Sequence, residues 1–146
     1  MTRTAELSPP ETGLAFGAMR ALRTALVDVD AFVRHVNETQ RPEGYRLVGA
    51  FEEGRPEALA VAGFRALHNL AWGHAVYVDD LSTLPEARRR GYAGLLLEWV
   101  LAEARRLGCD EVHLDSGVGD HRADAHRLYL NFGMRITSHH FGRSIM

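Results

Sequence analysis

A turn with three arginines and two glycines leads directly into a long apolar helix in this sequence. It reads Arg-Arg-Arg-Gly-Tyr-Ala-Gly over residues 88–94. The first turn of a helix has backbone N–H groups without partners, and the helix dipole adds about half a positive charge there. Glycine lets a phosphate approach the main chain closely, and arginine stays charged at every working pH. The turn is therefore predicted to bind a pyrophosphate, the alternative being a solvated basic loop.

Two better-known phosphate-binding loops do not fit this turn. A Walker A loop needs a lysine followed by serine or threonine, and no such pair follows Gly91 or Gly94. A dinucleotide-binding fingerprint would need a glycine in place of Leu96 and a strand directly before its glycines, whereas Pro85 and the arginines intervene. A nucleotide-binding regulatory domain is therefore disfavoured.

The spacing Arg88-x-x-Gly91-x-Ala93 resembles the R/Q-x-x-G-x-G/A signature of the GNAT superfamily of acyl-CoA-dependent N-acetyltransferases. The preceding strand, the helix, the next strand and the segment from Ala125 to Met134 follow in the family's order, over about residues 75–141. The resemblance implies an α/β (α+β) fold: a mixed central sheet, with an antiparallel N-terminal meander and a parallel strand pair splayed around the cofactor, flanked by helices. It implies transfer of acetyl from acetyl-CoA to a primary amine of a small molecule or peptide, by direct attack in a ternary complex.

The resemblance also implies which residues contact acetyl-CoA. Main-chain groups at the end of the preceding strand would bond the pantetheine amides, an N–H near Leu81 would polarise the thioester carbonyl, and the arginine turn would hold the pyrophosphate. The residues expected to bind acetyl-CoA are Leu81, Ser82, Thr83, Arg88, Arg89, Arg90, Gly91, Tyr92, Ala93 and Gly94.

A tyrosine in the second half of the chain is the candidate general acid. The family pattern places at Tyr129 a tyrosine that protonates the leaving thiolate, which would add about 10²–10⁴ in rate. The alternative is a buried tyrosine packed beside Leu128 and Phe132. Arg122 departs from the family pattern, since many members carry there an asparagine that touches the cofactor.

Two adjacent carboxylates are candidates for the general base. An alkyl amine with a pKa near about 10 must lose a proton before it attacks, and Asp79 and Asp80 stand near the end of the strand that precedes the turn. Because neighbouring strand residues face opposite sides, only one should reach the substrate unless a bulge breaks the alternation. The choice stays open, with a slight preference for Asp80; each carboxylate could also simply end the strand.

Composition limits the setting and the partners. The 146 residues predict a single domain; 46% of them are hydrophobic and 25% charged, and the net charge of −2 gives no basic footprint for nucleic acid. No apolar run approaches the roughly 20 residues of a membrane span, and the N-terminus lacks the apolar stretch of a secretory signal. With the lone Cys109 and no His-x-x-x-His, the expectation is a cytoplasmic protein without a metal. A homodimer, common in the family, stays open.

The element pattern predicts what must position these groups. Residues 1–10 are expected to be at best a weak strand or a frayed arm, followed by a helix over residues 11–26 and a short one capped by Asp28 or Asp30. Residues 37–44 are expected to be a loop, and residues 45–51, 59–67 and 74–83 the strands of an antiparallel meander. The first two helices should wall the amine site.

The second half alternates strands and helices. The helix after the arginine turn should bury Leu96 and Val100, expose Glu103 and end at Gly108. A strand over residues 111–115, a helix over residues 123–132 and a last strand over residues 135–141 should follow. A protein that binds acyl-CoA as a sensor or interaction module, without turnover, would use the same elements and is the alternative function.

Overall fold

The computed structural model describes residues 1–146 as a mixed sheet of five strands with four α-helices. The strands are β1 Thr2–Leu7, β2 Arg46–Glu52, β3 Ala60–Asn69, β4 Gly73–Thr83 and β5 Glu111–Leu114. The helices are α1 Phe16–Leu22, α2 Val29–His35, α3 Tyr92–Arg106 and α4 Ala123–Asn131. Strand order in the sheet is β1-β2-β3-β4-β5; the first four strands run antiparallel, and β4 and β5 form a parallel pair joined through α3. The predicted mixed architecture is confirmed.

The chain forms two compact units. Met1–His113 contains β1 to β4, the first three helices and most of β5. Leu114–Met146 contains α4 and the C-terminal segment. None of the helices combines the length and the apolar character that crossing a membrane requires.

The N-terminal segment is a full strand, not a weak one or a frayed arm. β1 pairs with β2 along its whole length, from Thr2 opposite Glu52 to Leu7 opposite Leu47, and the Leu7 side chain is buried. The segment is polar because it is an edge strand with one face towards solvent. Pairing with β2, 40 residues or more away in sequence, supplies hydrogen bonds that the local pattern could not reveal.

Helical turns replace the loop expected over residues 37–44. After α2, which Asp28 caps by accepting hydrogen bonds from the N–H groups of Asp30 and Ala31, the chain continues in turns at Val36–Gln40 and Arg41–Glu43. The Arg41 guanidinium donates to the Asn37 side chain at 3.0 Å and to the Leu7 carbonyl at 2.9 Å. One bond within the helical turns and one to a strand 34 positions away thus hold a polar stretch in helical form.

The last predicted strand does not form. Residues 134–146 have no regular structure, and the side chains of Ile136 and Phe141 are 82% and 92% exposed. Alternating residues stabilise a strand only when one face packs on a surface, and nothing covers these two. The helix before this segment does end at Gly133, as expected, with φ of 81°.

One charged residue of α3 is buried, although its polarity predicts that it faces solvent. Leu96 and Val100 are fully buried as expected, but Glu103 is only 8% exposed. Its carboxylate accepts hydrogen bonds from Arg106 and Arg46, each at 2.6 Å. The bonds from Arg106 and then Arg46 lower the pKa of Glu103 to about 2, against the opposing effect of burial.

We expect Glu103→Gln to lower the free energy of unfolding by about 2 kcal/mol at pH 7. A depressed carboxyl pKa stabilises the fold above the ordinary value of 4.5, and this stabilisation is lost as the pH falls towards 2. Urea unfolding at several pH values should therefore show wild type and variant converging between pH 4.5 and pH 2. Glu98→Gln, at an exposed position of the same helix, is the control; equal losses in both variants at every pH would contradict the prediction.

Candidate functional site

The N-terminus of α3 presents unsatisfied main-chain donors. Gly91 is the N-cap residue with φ of 85°, and no side chain caps the first turn of the 15-residue helix. Arg89, two residues earlier, also has positive φ, at 64°. Successive N–H groups in such a turn form a concave anion-binding surface, which the helix dipole strengthens. A Cβ built on Gly91 would meet nothing within 4 Å, so the main chain is open to a close ligand.

The side chains of the arginine turn divide into two groups. Arg90 forms an ion pair with Glu52 and lies over the Tyr92 ring at 5.2 Å, and the buried Tyr92 hydroxyl donates to the same Glu52. These two side chains are held by the fold. Arg88 is exposed and forms no ion pair, so its charge is available at the turn. Ala93 and Gly94 offer main-chain groups of the first helical turn.

The end of β4 has a free hydrogen-bonding edge. The Leu84 N–H donates to the Leu59 carbonyl at 2.9 Å, so by alternation the main-chain groups of Ser82 also face β3. Those of Leu81 and Thr83 point to the opposite edge. β5 begins beside the start of β4, where the Asp110 N–H donates to the His74 carbonyl at 2.7 Å, and has four residues against eleven in β4. The edge at Leu81 and Thr83 thus lies beyond the length of β5.

A β-bulge decides how the two adjacent carboxylates lie. Gly63 is opposite Asp80 and Phe64 is opposite Val78, which leaves Asp79 without an opposite residue. The extra residue breaks the alternation of faces in β4. Both aspartates take part in one network of hydrogen bonds.

Each carboxylate of the network has its own partners. Asp80 accepts a hydrogen bond from the Tyr45 hydroxyl at 2.6 Å and one from Arg23 Nε at 2.8 Å. Asp79 accepts two from Arg65, at 2.7 and 3.1 Å, and its main-chain carbonyl accepts one from Arg23. Burial raises the pKa of Tyr45, and the neighbouring Asp80 carboxylate raises it further, so this hydroxyl remains a donor. The two donors hold the Asp80 carboxylate in place.

The network depends on a glycine at the bulge. A Cβ on Gly63 would lie 1.8 Å from the Tyr45 hydroxyl oxygen, far inside van der Waals contact. The hydroxyl reaches Asp80 only because no side chain stands at this position. The φ of Gly63 is not in the left-handed region, so backbone conformation does not require a glycine there. The glycine instead allows the Tyr45 hydroxyl to approach the main chain closely.

A cavity of about 330 Å³ distinguishes the two aspartates, because only one of them lines it. Asp80 and Tyr45 line it, together with residues of α1, α2 and the segment between them, whereas Asp79 does not. The helices and loop predicted to wall an amine site thus surround a space that the Asp80 carboxylate lines.

Tyr129 belongs to the second compact unit, in α4. Burial raises the pKa of its hydroxyl, while the charge and hydrogen bond of Arg122 act in the opposite direction. Arg122 also donates to the Ser116 hydroxyl at 3.3 Å. The net direction is upward, so the phenol stays protonated throughout the neutral range. The residue that departs from the family pattern thus contacts the predicted acid.

Sequence reasoning missed the partners of the aspartates. Arg23 follows α1, Tyr45 precedes β2, and Gly63 and Arg65 lie in β3, so no spacing motif links them. Tyr45 was visible only as the start of a predicted strand. The structure contains no group of three or more His, Cys, Asp or Glu side chains placed to hold a metal.

Known proteins match this chain in sequence and in fold. The family model described as the acetyltransferase (GNAT) family matches residues 17–134. The "Uncharacterized N-acetyltransferase YhdJ" of Bacillus subtilis (strain 168) is 31% identical over 140 residues, which cover 94% of each chain.

Solved structures extend the comparison of the fold. AAC(6')-Iy, in complex with a bisubstrate analogue of CoA and acetylneamine, superposes with a TM-score of 0.83 at 17% identity, covering 100% of this chain and 99% of the other. Glucosamine-6-phosphate N-acetyltransferase from Arabidopsis thaliana superposes with a TM-score of 0.76 at 16% identity, with coverage of 100% and 99%.

Proposed function

Since the chain belongs to the acetyltransferase (GNAT) family, and is therefore an acyltransferase, we propose that it transfers acetyl from acetyl-CoA to a primary amine. The amine attacks the thioester directly in a ternary complex. The observation that carries the proposal is that a carboxylate-ended cavity, a free strand edge and an uncapped helix N-terminus follow one another within residues 80–94.

The donor groups fit acetyl-CoA by their chemistry. The pyrophosphate is anionic, and the main-chain N–H groups at Gly91, Ala93 and Gly94 together with the Arg88 charge suit an anion. The pantetheine arm carries amides, which pair with a strand edge as another strand would; Leu81 and Thr83 offer N–H and carbonyl groups there. When bound, acetyl-CoA supplies an activated carbonyl and a thiolate leaving group.

Asp80 is the proposed base. Transfer forms one N–C bond, breaks one C–S bond and releases a proton from the amine nitrogen. Asp80, positioned by hydrogen bonds from Arg23 and Tyr45, attracts the ammonium and accepts that proton directly or through a water. Asp79 is less suited because Arg65 binds both its oxygens and it does not line the cavity.

The Leu81 N–H is proposed to act on the thioester carbonyl, and the Tyr129 hydroxyl on the leaving sulfur. The N–H polarises the thioester oxygen, which becomes more negative during attack. Tyr129, kept protonated by its raised pKa, gives its proton to the departing thiolate. Burial, and then the charge of Asp110, raise the pKa of Cys109, the single thiol of the chain, and leave it a poor nucleophile. Direct attack by the amine is therefore favoured over an acyl-enzyme.

Calorimetric titration with acetyl-CoA tests the cofactor site. We expect saturable binding by the wild type and an affinity about tenfold or more lower in Arg88→Glu, because the variant places a negative charge at the turn that faces the pyrophosphate. Arg55→Glu, the same charge change at an exposed turn between β2 and β3, should bind like the wild type. Equal affinities in all three proteins would reject the site, and no binding by a folded wild type would reject the function.

A further inference from the structure

We propose that the acceptor is a monoamine whose remaining part is uncharged and apolar, such as an alkyl or arylalkyl amine. The inference rests on the proposed function, since it treats the cavity that ends at Asp80 as the acceptor site. It goes further by assigning a substrate class from the charges and walls of this cavity.

The charges in the cavity leave room for one cation. Its carboxylates are Asp28 and Asp80. Asp28 already caps α2 by accepting hydrogen bonds from Asp30 and Ala31, and Asp80 already holds Arg23. The guanidinium of Arg23 also lines the cavity and balances one of the two negative charges. A ligand with several ammonium groups would find no further carboxylate among the lining residues.

Most of the wall formed by α1, α2 and the segment between them is apolar, and the space is small. Besides the carboxylates and Arg23, its polar lining residues are His35, Gln40 and Tyr45. Met19 and Phe32 are buried with their side chains against the cavity, Leu26 and Ala31 extend this surface, and Val27, 78% exposed, lies at the rim. A volume of about 330 Å³ is at the lower end of the range for small-molecule sites. Against the apolar part of these walls, hydroxyl-rich rings would lose more hydrogen bonds to water than His35 and Gln40 could replace. Alkyl or aryl groups gain from the same burial.

Anionic acceptors fit no better than polycationic ones. A sugar phosphate needs donors for its phosphate, and the cationic group that lines the cavity, Arg23, is bound to Asp80 and to the Asp79 carbonyl. A phosphate would have to break that ion pair and leave the proposed base without its cationic partner.

Binding to the CoA-loaded protein tests the substrate class. The probes are 2-phenylethylamine, hexylamine, neamine and glucosamine 6-phosphate, titrated in saturating CoA and followed by calorimetry. We expect the two apolar monoamines to bind at least tenfold more tightly than the other two, and to be acetylated with the higher kcat/KM when acetyl-CoA replaces CoA. Tighter binding of neamine or of the sugar phosphate, or no binding of either monoamine, would overturn the inference. Failure of CoA itself to bind would instead reject the proposed function.

A pair of tryptophan variants tests whether the acceptor binds in the cavity. Ala31→Trp places an indole in the cavity from an exposed helical position, so it should raise the KM for 2-phenylethylamine at least tenfold and leave acetyl-CoA affinity unchanged. Arg34→Trp adds the same group to α2 at an exposed residue that does not line the cavity, and should keep the wild-type KM. An unchanged KM in folded Ala31→Trp would place the acceptor elsewhere and overturn the inference.

Discussion

Asp80→Asn is expected to lower kcat/KM for amine acetylation by about 10²–10³ at pH 7. The amide cannot take the proton that the substrate ammonium must lose before it attacks as an amine. It also no longer neutralises Arg23, which donates to Asp80 at 2.8 Å. Affinity for acetyl-CoA should not change, because the carboxylate faces the cavity between the first two helices. Steady-state rates of thiol release together with acetyl-CoA titration separate these two effects.

The pH profile distinguishes a base from a structural residue. Free amine becomes abundant as the pH approaches its pKa near about 10, so the variant should recover towards the wild-type rate between pH 8 and pH 10. Asp79→Asn is the control, since it loses the Arg65 ion pair without removing the carboxylate that lines the cavity. A rate deficit in Asp80→Asn that stays constant up to pH 10 would contradict the assignment of the base.

Tyr129→Phe is the second change with a large expected effect. It removes the hydroxyl proposed to protonate the leaving thiolate and keeps the ring, so kcat should fall by about 10²-fold or more. KM for the amine and the affinity for acetyl-CoA should remain near wild type. Because burial raises the pKa of this hydroxyl, the wild-type kcat should show no loss from its ionisation up to about pH 9.

Leu130→Ala provides the comparison for this variant. Leu130 is adjacent to Tyr129 in α4 and 55% exposed, so its loss tests for a general disturbance of the helix. Rapid-mix measurement of thiol release gives kcat for both variants, and circular dichroism checks the fold. If Tyr129→Phe kept more than half of the wild-type kcat, the phenol would have no part in the transfer.

Local patterns predicted the elements that carry the proposed cofactor site. The glycines, proline and apolar periodicity around Arg88 placed the turn and the helix after it, and the structure has α3 from Tyr92 to Arg106. Signals of this kind are short-range: a helix start depends on residues within one or two turns of it. The resemblance to acetyltransferases, drawn from the same segments, is confirmed by the family match over residues 17–134.

What the pattern could not predict depends on contacts between distant residues. The bulge at Gly63 determines how Asp79 and Asp80 lie, and the strand that carries those carboxylates gives no sign of it. Glu103 looked like a solvent-facing residue because its partner Arg46 is 57 positions away. Residues 135–141 show the opposite error, since their alternation suggested a strand that no neighbouring surface supports.

The measurement that tests the proposed function most directly is a single-turnover reaction of excess protein with acetyl-CoA and 2-phenylethylamine, quenched over time and read by mass spectrometry. We expect free CoA and N-acetylated amine to appear in equal amounts and at the same rate, with no acetylated protein at any time. Formation of free CoA and acetate without acetylated amine, or transfer of acetyl first to the protein, would contradict direct transfer to an amine in a ternary complex.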